Sequence, residues 1–289
     1  MNITASDVCR EPFFFGGIMN NIAIAKETIK ITNDRKYAVN GEKIALPDVD
    51  FSAVEVISPD YGAELLGEDL SGNFGEMCRI TVTNEDSFQA AGRYEKPFVM
   101  NFANAHNAGG GFLHGANAQE EALCRCSTLY ASITAKKAGE MYRYNNTHLS
   151  SVDSDYMLYS PSVCVFRDKK CNLIKEHFMA AVVTIAAPNR NGGAMFTGEK
   201  KLAETMMRRI RIMLRVAVKY GHRNLVLGAW GCGAFRNNPR NVAEYFRSIL
   251  IDEGYGKCFD EVCFAVYGKE DGRNITEFRN VFNKNTCGD

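Results

Sequence analysis

Residues 180–187 read AAVVTIAA, eight positions with no charge and with apolar side chains at both odd and even places. A strand turns successive side chains to opposite faces. A run that is apolar on both parities therefore belongs inside a sheet that is covered above and below, as parallel strands are when helices cross over them. From about Met77 onward the chain agrees with this demand. Apolar stretches read as strands at Cys78–Val82, Phe98–Phe102, Met157–Tyr159, Val163–Phe166, Ala181–Ala186, Leu225–Gly228 and Val262–Val266. Between them lie helical patterns at Phe88–Arg93, Glu120–Lys136, Glu199–Tyr220, Asn241–Glu253 and Asn274–Phe282. Alternation of this kind predicts an α/β fold, a three-layer α/β/α sandwich.

The first third has a different texture. A helix is expected over Asn21–Asp34, short β-like stretches at Glu42–Leu46 and Ala53–Ile57, and a brief helical segment near Tyr61–Leu66. We read residues 1–75 as an N-terminal accessory region packed on a core formed by residues 76–289. No repeat, low-complexity tract or long linker interrupts the chain.

Charge narrows the choice of partner. Lys plus Arg equals Asp plus Glu, 34 of each, whereas proteins that track a nucleic-acid backbone carry a basic surplus. No extended nucleic-acid groove is expected. No apolar run reaches membrane-spanning length, and the opening MNITASDVCREPFFFGG lacks the basic and apolar segments of a secretory signal. The ten cysteines show neither a CxxC pair nor a Cys/His spacing suited to zinc. A reduced, cytoplasmic protein without a metal or cofactor is the expectation.

Two strands end in glycine-rich loops, and open α/β sheets bind ligands where strands end. The first loop carries Gly109, Gly110 and Gly111, the spacer FLHGANA, and then Gln119, Glu120 and Glu121 at a helix start. The second carries Gly228, Gly231 and Gly233 before a helix that follows Pro239. Glycine permits close backbone approach, and consecutive N–H groups form a concave nest for an anion. Two such loops would clasp a diphosphate. Either loop alone is explained as well by a tight turn, and acidic residues in a first helical turn complement its dipole. Neither loop is a Walker A sequence or a GxGxxG fingerprint. The triple glycine, short spacer and adjacent carboxylates together exceed what turn-making requires.

These residues resemble the microbial type of the poly(ADP-ribose) glycohydrolase family, which is marked by a triple glycine, a spacer of this length and QEE. The segments LCRCSTLY, GAWGCGAFRNNP and AKETIKITNDRKY extend the resemblance along nearly the whole chain. It implies a macrodomain fold with a mixed central sheet and an N-terminal accessory region. It implies a glycosidase that cuts ribose–ribose O-glycosidic bonds and releases ADP-ribose, with Glu121 as acid/base and Glu120 holding ribose hydroxyls. Asn107 matches a contact to the terminal ribose, and Gly109, Gly110, Gly111 and Gln119 match the loop around it. Gly231, Cys232, Gly233, Ala234 and Phe235 match the diphosphate loop, with Phe235 against the distal ribose. In microbial relatives the N-terminal element closes the site, which implies exo action. The chain departs from the pattern at Asn104 and Ala108, where relatives more often have serine and proline.

Other residues divide between ligand and fold. His106 and His114 flank the triple glycine, Trp230 suits either stacking or the core, and Arg236 and Arg240 suit either phosphate or solvent. Cys124 and Cys126 read as core, and Cys232 as a thiol open to reaction. The expected partner is ADP-ribose or its polymer, free or on ADP-ribosylated proteins, and no membrane. Two rival readings share the same pocket: a module that binds ADP-ribose without cutting it, and a hydrolase of mono-ADP-ribosyl linkages on protein or DNA. A reader has no need of the paired acids.

Overall fold

A computed structural model describes residues 12–283, with side chains from residue 20 onward; most of the opening segment scanned for a signal lies outside this range. Helix α1 (Pro12–Asp34) leads into a hairpin of β1 (Lys36–Val39) and β2 (Glu42–Ala45), then β3 (Glu55–Ile57) and α2 (Pro59–Gly67). The middle of the chain forms β4 (Arg79–Thr83), α3 (Ser87–Ala91), β5 (Phe98–Phe102), α4 (Gln119–Cys126), α5 (Leu129–Ile133) and α6 (Gly139–Thr147). The long pair β6 (Met157–Arg167) and β7 (Leu173–Ile185) follows. Helix α7 (Glu199–Lys219), β8 (Asn224–Leu227), α8 (Pro239–Arg247), β9 (Glu261–Ala265) and α9 (Arg273–Phe282) complete the fold.

Seven strands make one mixed sheet in the order β3-β6-β7-β5-β8-β9-β4. The run from β7 to β4 is parallel, while β6 is antiparallel to both β7 and β3. The apolar run of β7 does what its sequence demands. Ala181, Val183 and Ile185 pack beneath α2, α7, α8 and α9, whereas Ala180 and Val182 pack on the opposite face with α1 and α3 to α6. Each such Val or Ile contributes roughly 1.5–3 kcal/mol by leaving water. The parallel strands all end at one edge, and both glycine-rich loops emerge there, after the hydrogen-bonded neighbours β5 and β8.

The structure corrects the sequence reading in three places. The helix expected over Glu120–Lys136 is two helices, because Ser127 is extended and bridges Val165 of β6. Thr128 fixes the break: its N–H donates to the Cys164 carbonyl at 3.0 Å, and its hydroxyl accepts from the Cys164 N–H at 3.0 Å. Two predicted strands at 157–159 and 163–166 are one strand, β6, with its irregularity between Ser160 and Val163. Pro161 lies there and has no N–H for the ladder. Strand β1 and helix α6 were not anticipated. The turn joining β1 to β2 is Asn40-Gly41, both at positive φ, the arrangement of a type I′ hairpin. The accessory region read from the sequence ends at residue 75. Strand β3 and α2, both before it, belong to the layered core, with β3 paired to β6 and Leu65 of α2 fully buried.

One buried cation ties the loop edge to its helix. Arg209 of α7, only 1% exposed, donates to the Ala186 carbonyl at 3.0 Å, the Val152 carbonyl at 2.7 Å and Asp155 Oδ1 at 2.9 Å. Arg209→Met is expected to cost about 3 kcal/mol, since it strands buried acceptors. A urea-unfolding midpoint measures this, and a loss below about 1 kcal/mol would show that Arg209 does not hold this edge.

Candidate active site

The first loop is built from its own backbone. Beyond β5, the Asn104 side-chain oxygen accepts the N–H groups of His106 and Asn107 at 2.9 and 3.0 Å, an Asx turn. The Gly110 N–H then donates to the Asn107 carbonyl at 3.0 Å, and the chain reverses. Arg125 of α4 is buried and holds the end of the spacer, donating to the Ala116 carbonyl at 2.6 Å and Asn117 Oδ1 at 2.5 Å. Helix α1 closes over the spacer, with Asn21 donating to the Gly115 carbonyl at 3.1 Å and Thr28 to the Arg125 carbonyl at 2.7 Å.

This reversal brings both glutamates of α4 against the glycines. Glu121 Oε1 accepts the Gly111 N–H at 2.9 Å, and its Oε2 accepts the Ala118 N–H at 2.9 Å. Glu120 Oε2 accepts the Asn104 N–H at 2.8 Å, and Oε1 lies 3.3 Å from Asn101 Nδ2. The Gly109 N–H also acts on Glu120. The two carboxyls are 3% and 7% exposed. Burial pushes the Glu120 carboxyl up to about 8, against the hydrogen bonds that favour its charge and with the help of nearby Glu121. Gly110 has φ 54°, and a Cβ there would sit 2.5 Å from Glu121 Oε1. The glycine amides of the first loop are thus taken within the protein, Gly109 and Gly111 by the two acids and Gly110 by the Asn107 carbonyl.

The second loop is the open one. Asn237 anchors it, donating to the Pro188 carbonyl at 2.9 Å and the Gly231 carbonyl at 3.2 Å. Gly231 has φ 72°, and a Cβ there would meet Asn237 Nδ2 at 2.5 Å and Ala187 Cβ at 2.6 Å. Among the described residues no protein acceptor takes the N–H groups of Gly231, Gly233, Ala234 or Phe235. The Cys232 N–H between them is taken by the Ala229 carbonyl at 3.1 Å, and the four unclaimed donors around this tight turn suit an anion.

The remaining predicted residues fall out unevenly. Asn107 is exposed on the turn, and its side-chain amide has no protein partner among the described residues. Gln119 does not face outward: it accepts the Phe102 N–H at 2.9 Å and donates to the Met100 carbonyl at 2.8 Å and Ser87 Oγ at 3.0 Å. It joins α4 to β5. Phe235 is half-buried beside the core and its carbonyl accepts the Arg190 N–H at 3.0 Å. Trp230 is core, fully buried and donating to the Ile185 carbonyl at 3.1 Å. Burial pushes the Cys232 thiol up to about 12, which favours its protonated form. His106 braces the first loop, with Nε2 3.1 Å from Asp153 Oδ1 and Nδ1 3.2 Å from Asn146 Oδ1.

Several residues gave no signal beforehand. Asn101 reaches Glu120 from β5, and Asn104, read only as a departure from a pattern, shapes the loop and donates to an acid. The Tyr142 hydroxyl on α6 is buried without a partner, and Glu120 is among the charges that act on it. Tyr267, 71% exposed just beyond β9, presents an aromatic ring at the same edge of the sheet. Among the described residues no group of His, Cys, Asp and Glu is arranged to hold a metal ion.

A mixed sheet between two helical layers, with two adjacent glycine loops, one gripping paired carboxyls and one offering free amides, is an arrangement suited to acid–base chemistry on an anionic ligand. Comparisons narrow it. The model of the microbial-type PARG catalytic domain matches residues 25–168. The chain is similar to the poly(ADP-ribose) glycohydrolase of Thermomonospora curvata, with 35% identity over 91% of this chain and 100% of that one, at a TM-score of 0.86. The same enzyme bound to the inhibitor ADP-HPD superposes at 0.84 over the same spans. The glycohydrolase of Deinococcus radiodurans in complex with ADP-ribose gives 36% identity over 83% of this chain and 99% of that one, at 0.76. A comparison with curated proteins finds no match. The chain belongs to the microbial-type poly(ADP-ribose) glycohydrolase family.

Two outcomes are expected from this geometry. Gly110→Ala displaces the Glu121 carboxyl and lowers kcat about a hundredfold, the effect of misplacing a reacting group by an ångström; an unchanged kcat with intact fold would remove Gly110 from the site's support. The raised Glu120 pKa means the folded protein binds a proton that the unfolded chain releases above 4.5. Stability from this group is therefore complete below about 4.5 and declines as pH rises toward about 8. Urea midpoints of wild type and Glu120→Gln across that window should converge at low pH, with a flatter profile for the variant. Parallel profiles would contradict a buried, proton-holding Glu120.

Proposed function

We propose that the chain is a poly(ADP-ribose) glycohydrolase, hydrolysing the ribose–ribose O-glycosidic bond and releasing ADP-ribose. The observation that carries this is the pairing of Glu120 and Glu121 against the triple glycine, beside a second loop with unclaimed amides. The substrate's diphosphate binds the free amides of Gly231, Gly233, Ala234 and Phe235, and Phe235 packs against the distal ribose. Asn107 offers its free amide to the same sugar, and the ring of Tyr267 offers a face to the base.

The bond breaks through a transition state with oxocarbenium character at the anomeric carbon. Glu121 gives its proton to the leaving oxygen, then takes one from the water that attacks the anomeric carbon, and so returns to its starting state. Glu120, kept largely uncharged by burial near neutral pH, hydrogen-bonds ribose hydroxyls without setting a second negative charge against the diphosphate. Helix α1, packed over the spacer and α4, walls the site on one side. That wall supports exo action. The polymer is expected on ADP-ribosylated proteins in the cytoplasm, a compartment suited to the free thiols of the described cysteines. Among the described residues no helix is long and apolar enough to cross a membrane.

Glu121→Gln keeps the shape of the side chain and removes the acid. It should abolish release of ADP-ribose from polymer, at least a thousandfold down, while the Kd for ADP-ribose stays within about threefold, less than one lost hydrogen bond. Chromatography of released product and calorimetry read the two quantities. Retained hydrolysis would remove Glu121 from the mechanism.

A further inference from the structure

A second charged feature lies on the outer flank of the loop with the free amides. Residues 236–238 continue from Phe235 into one side of a cleft of about 630 Å³, whose other walls are the first turns of α7, α8 and α9. Four cations line it: Arg190, Lys200, Arg236 and Arg273. Its one carboxylate, Glu199, is neutralised by Arg190 at 2.6 Å. Lys200 lies 4.0 Å from Glu204 on the next turn of α7, and Arg236 and Arg273 have no acidic partner among the described residues. The chain as a whole has no net charge, so this surplus is local rather than a general basicity.

Three features join the cleft to the expected diphosphate loop. Arg190 donates its backbone N–H to the Phe235 carbonyl at 3.0 Å. Asn237, which anchors the loop, is itself part of the cleft wall. The charge of Arg273 acts on the thiol of Cys232 within the loop. Arg236 holds a left-handed backbone, φ 57°, that turns the chain from one site into the other. Polar amides of Asn238 and Asn241 complete the lining. Guanidinium groups beside amides and helix N-termini form a setting for phosphate oxygens.

We propose that this cleft is a second anion site, which holds the diphosphate of the neighbouring ADP-ribose unit while the catalytic pocket holds the unit being released. The inference rests on the polymer reading above. A polymer carries one diphosphate per unit, so a chain leaving the first site must bring a second dianion past the loop. A single ADP-ribose has no such group, and the cleft would therefore favour polymer over mono-ADP-ribosyl substrates.

The test uses the full chain with its catalytic pocket saturated by ADP-ribose. Inorganic pyrophosphate is then added, and the backbone amide resonances of Asn238 and Asn241 are followed. They should shift in wild type and not in a Lys200→Gln/Arg273→Gln double variant. Lys200 is 91% exposed on its side chain, so its loss spares the fold, and urea midpoints of the two proteins serve as the check. In kinetics the double variant should raise KM for long polymer about tenfold, as expected for one or two lost charge-assisted contacts. Its kcat, and its Kd for free ADP-ribose, which carries no neighbouring diphosphate, should stay unchanged. Absence of pyrophosphate shifts in wild type overturns the site. Shifts without a change in polymer KM overturn its assignment to the neighbouring unit. If wild type released nothing from any polymer, the glycohydrolase reading would fall and this assignment with it, whereas loss of the pyrophosphate response alone leaves that reading standing.

Discussion

The site depends on backbone amides of one glycine turn being satisfied by acids of the same chain. Gly111 and Ala118 donate to Glu121, while Asn104 donates to Glu120 and Gly109 acts on it. A buried carboxyl without such donors costs several kcal/mol. Here the donors come from a loop that cannot contain a side chain at Gly110. The glycines thus serve the acids first. The other loop leaves the N–H groups of Gly231, Gly233, Ala234 and Phe235 without a protein acceptor among the described residues.

Around that grip the scaffold leaves α4 little freedom. Gln119 ties its first residue to β5, Arg125 ties its last turn to the spacer, and Ser127 and Thr128 tie its end to β6. Helix α1 then binds the Arg125 carbonyl from above through Thr28. Each tie is a buried polar contact, and buried polar groups that are fully partnered specify one arrangement. These ties hold the two carboxyls of α4 in one position against the loop.

Much of this was legible beforehand, for identifiable reasons. The central strands showed because burial on both faces leaves an unbroken apolar run. The paired acids showed because the triple glycine and QEE lie in one continuous segment. What did not show depends on contacts across the chain. Strand β1 is only four residues long and α6 is rich in polar and aromatic residues, so neither has a clear period. The break after α4 arises from a strand 36 residues further on. Gln119 was placed near the ligand by the resemblance; the structure shows its amide meeting β5, a contact hidden from the sequence because each helical step rotates a side chain by roughly 100°. That the first loop is filled by its own acids follows from a chain reversal, which no linear pattern displays.

The brevity of β3 has a consequence for how this architecture tolerates change. Its three residues cover β6 only from Met157 to Tyr159, and the uncovered remainder receives Ser127 and Thr128. Helix and strand therefore compete for one hydrogen-bonding edge. Lengthening the segment before residue 55 so that it paired further along would evict the tail of α4 and swing both acids out of register, at a point remote from any ligand. Insertions in that neighbourhood are thus constrained by chemistry performed on the other side of the helix.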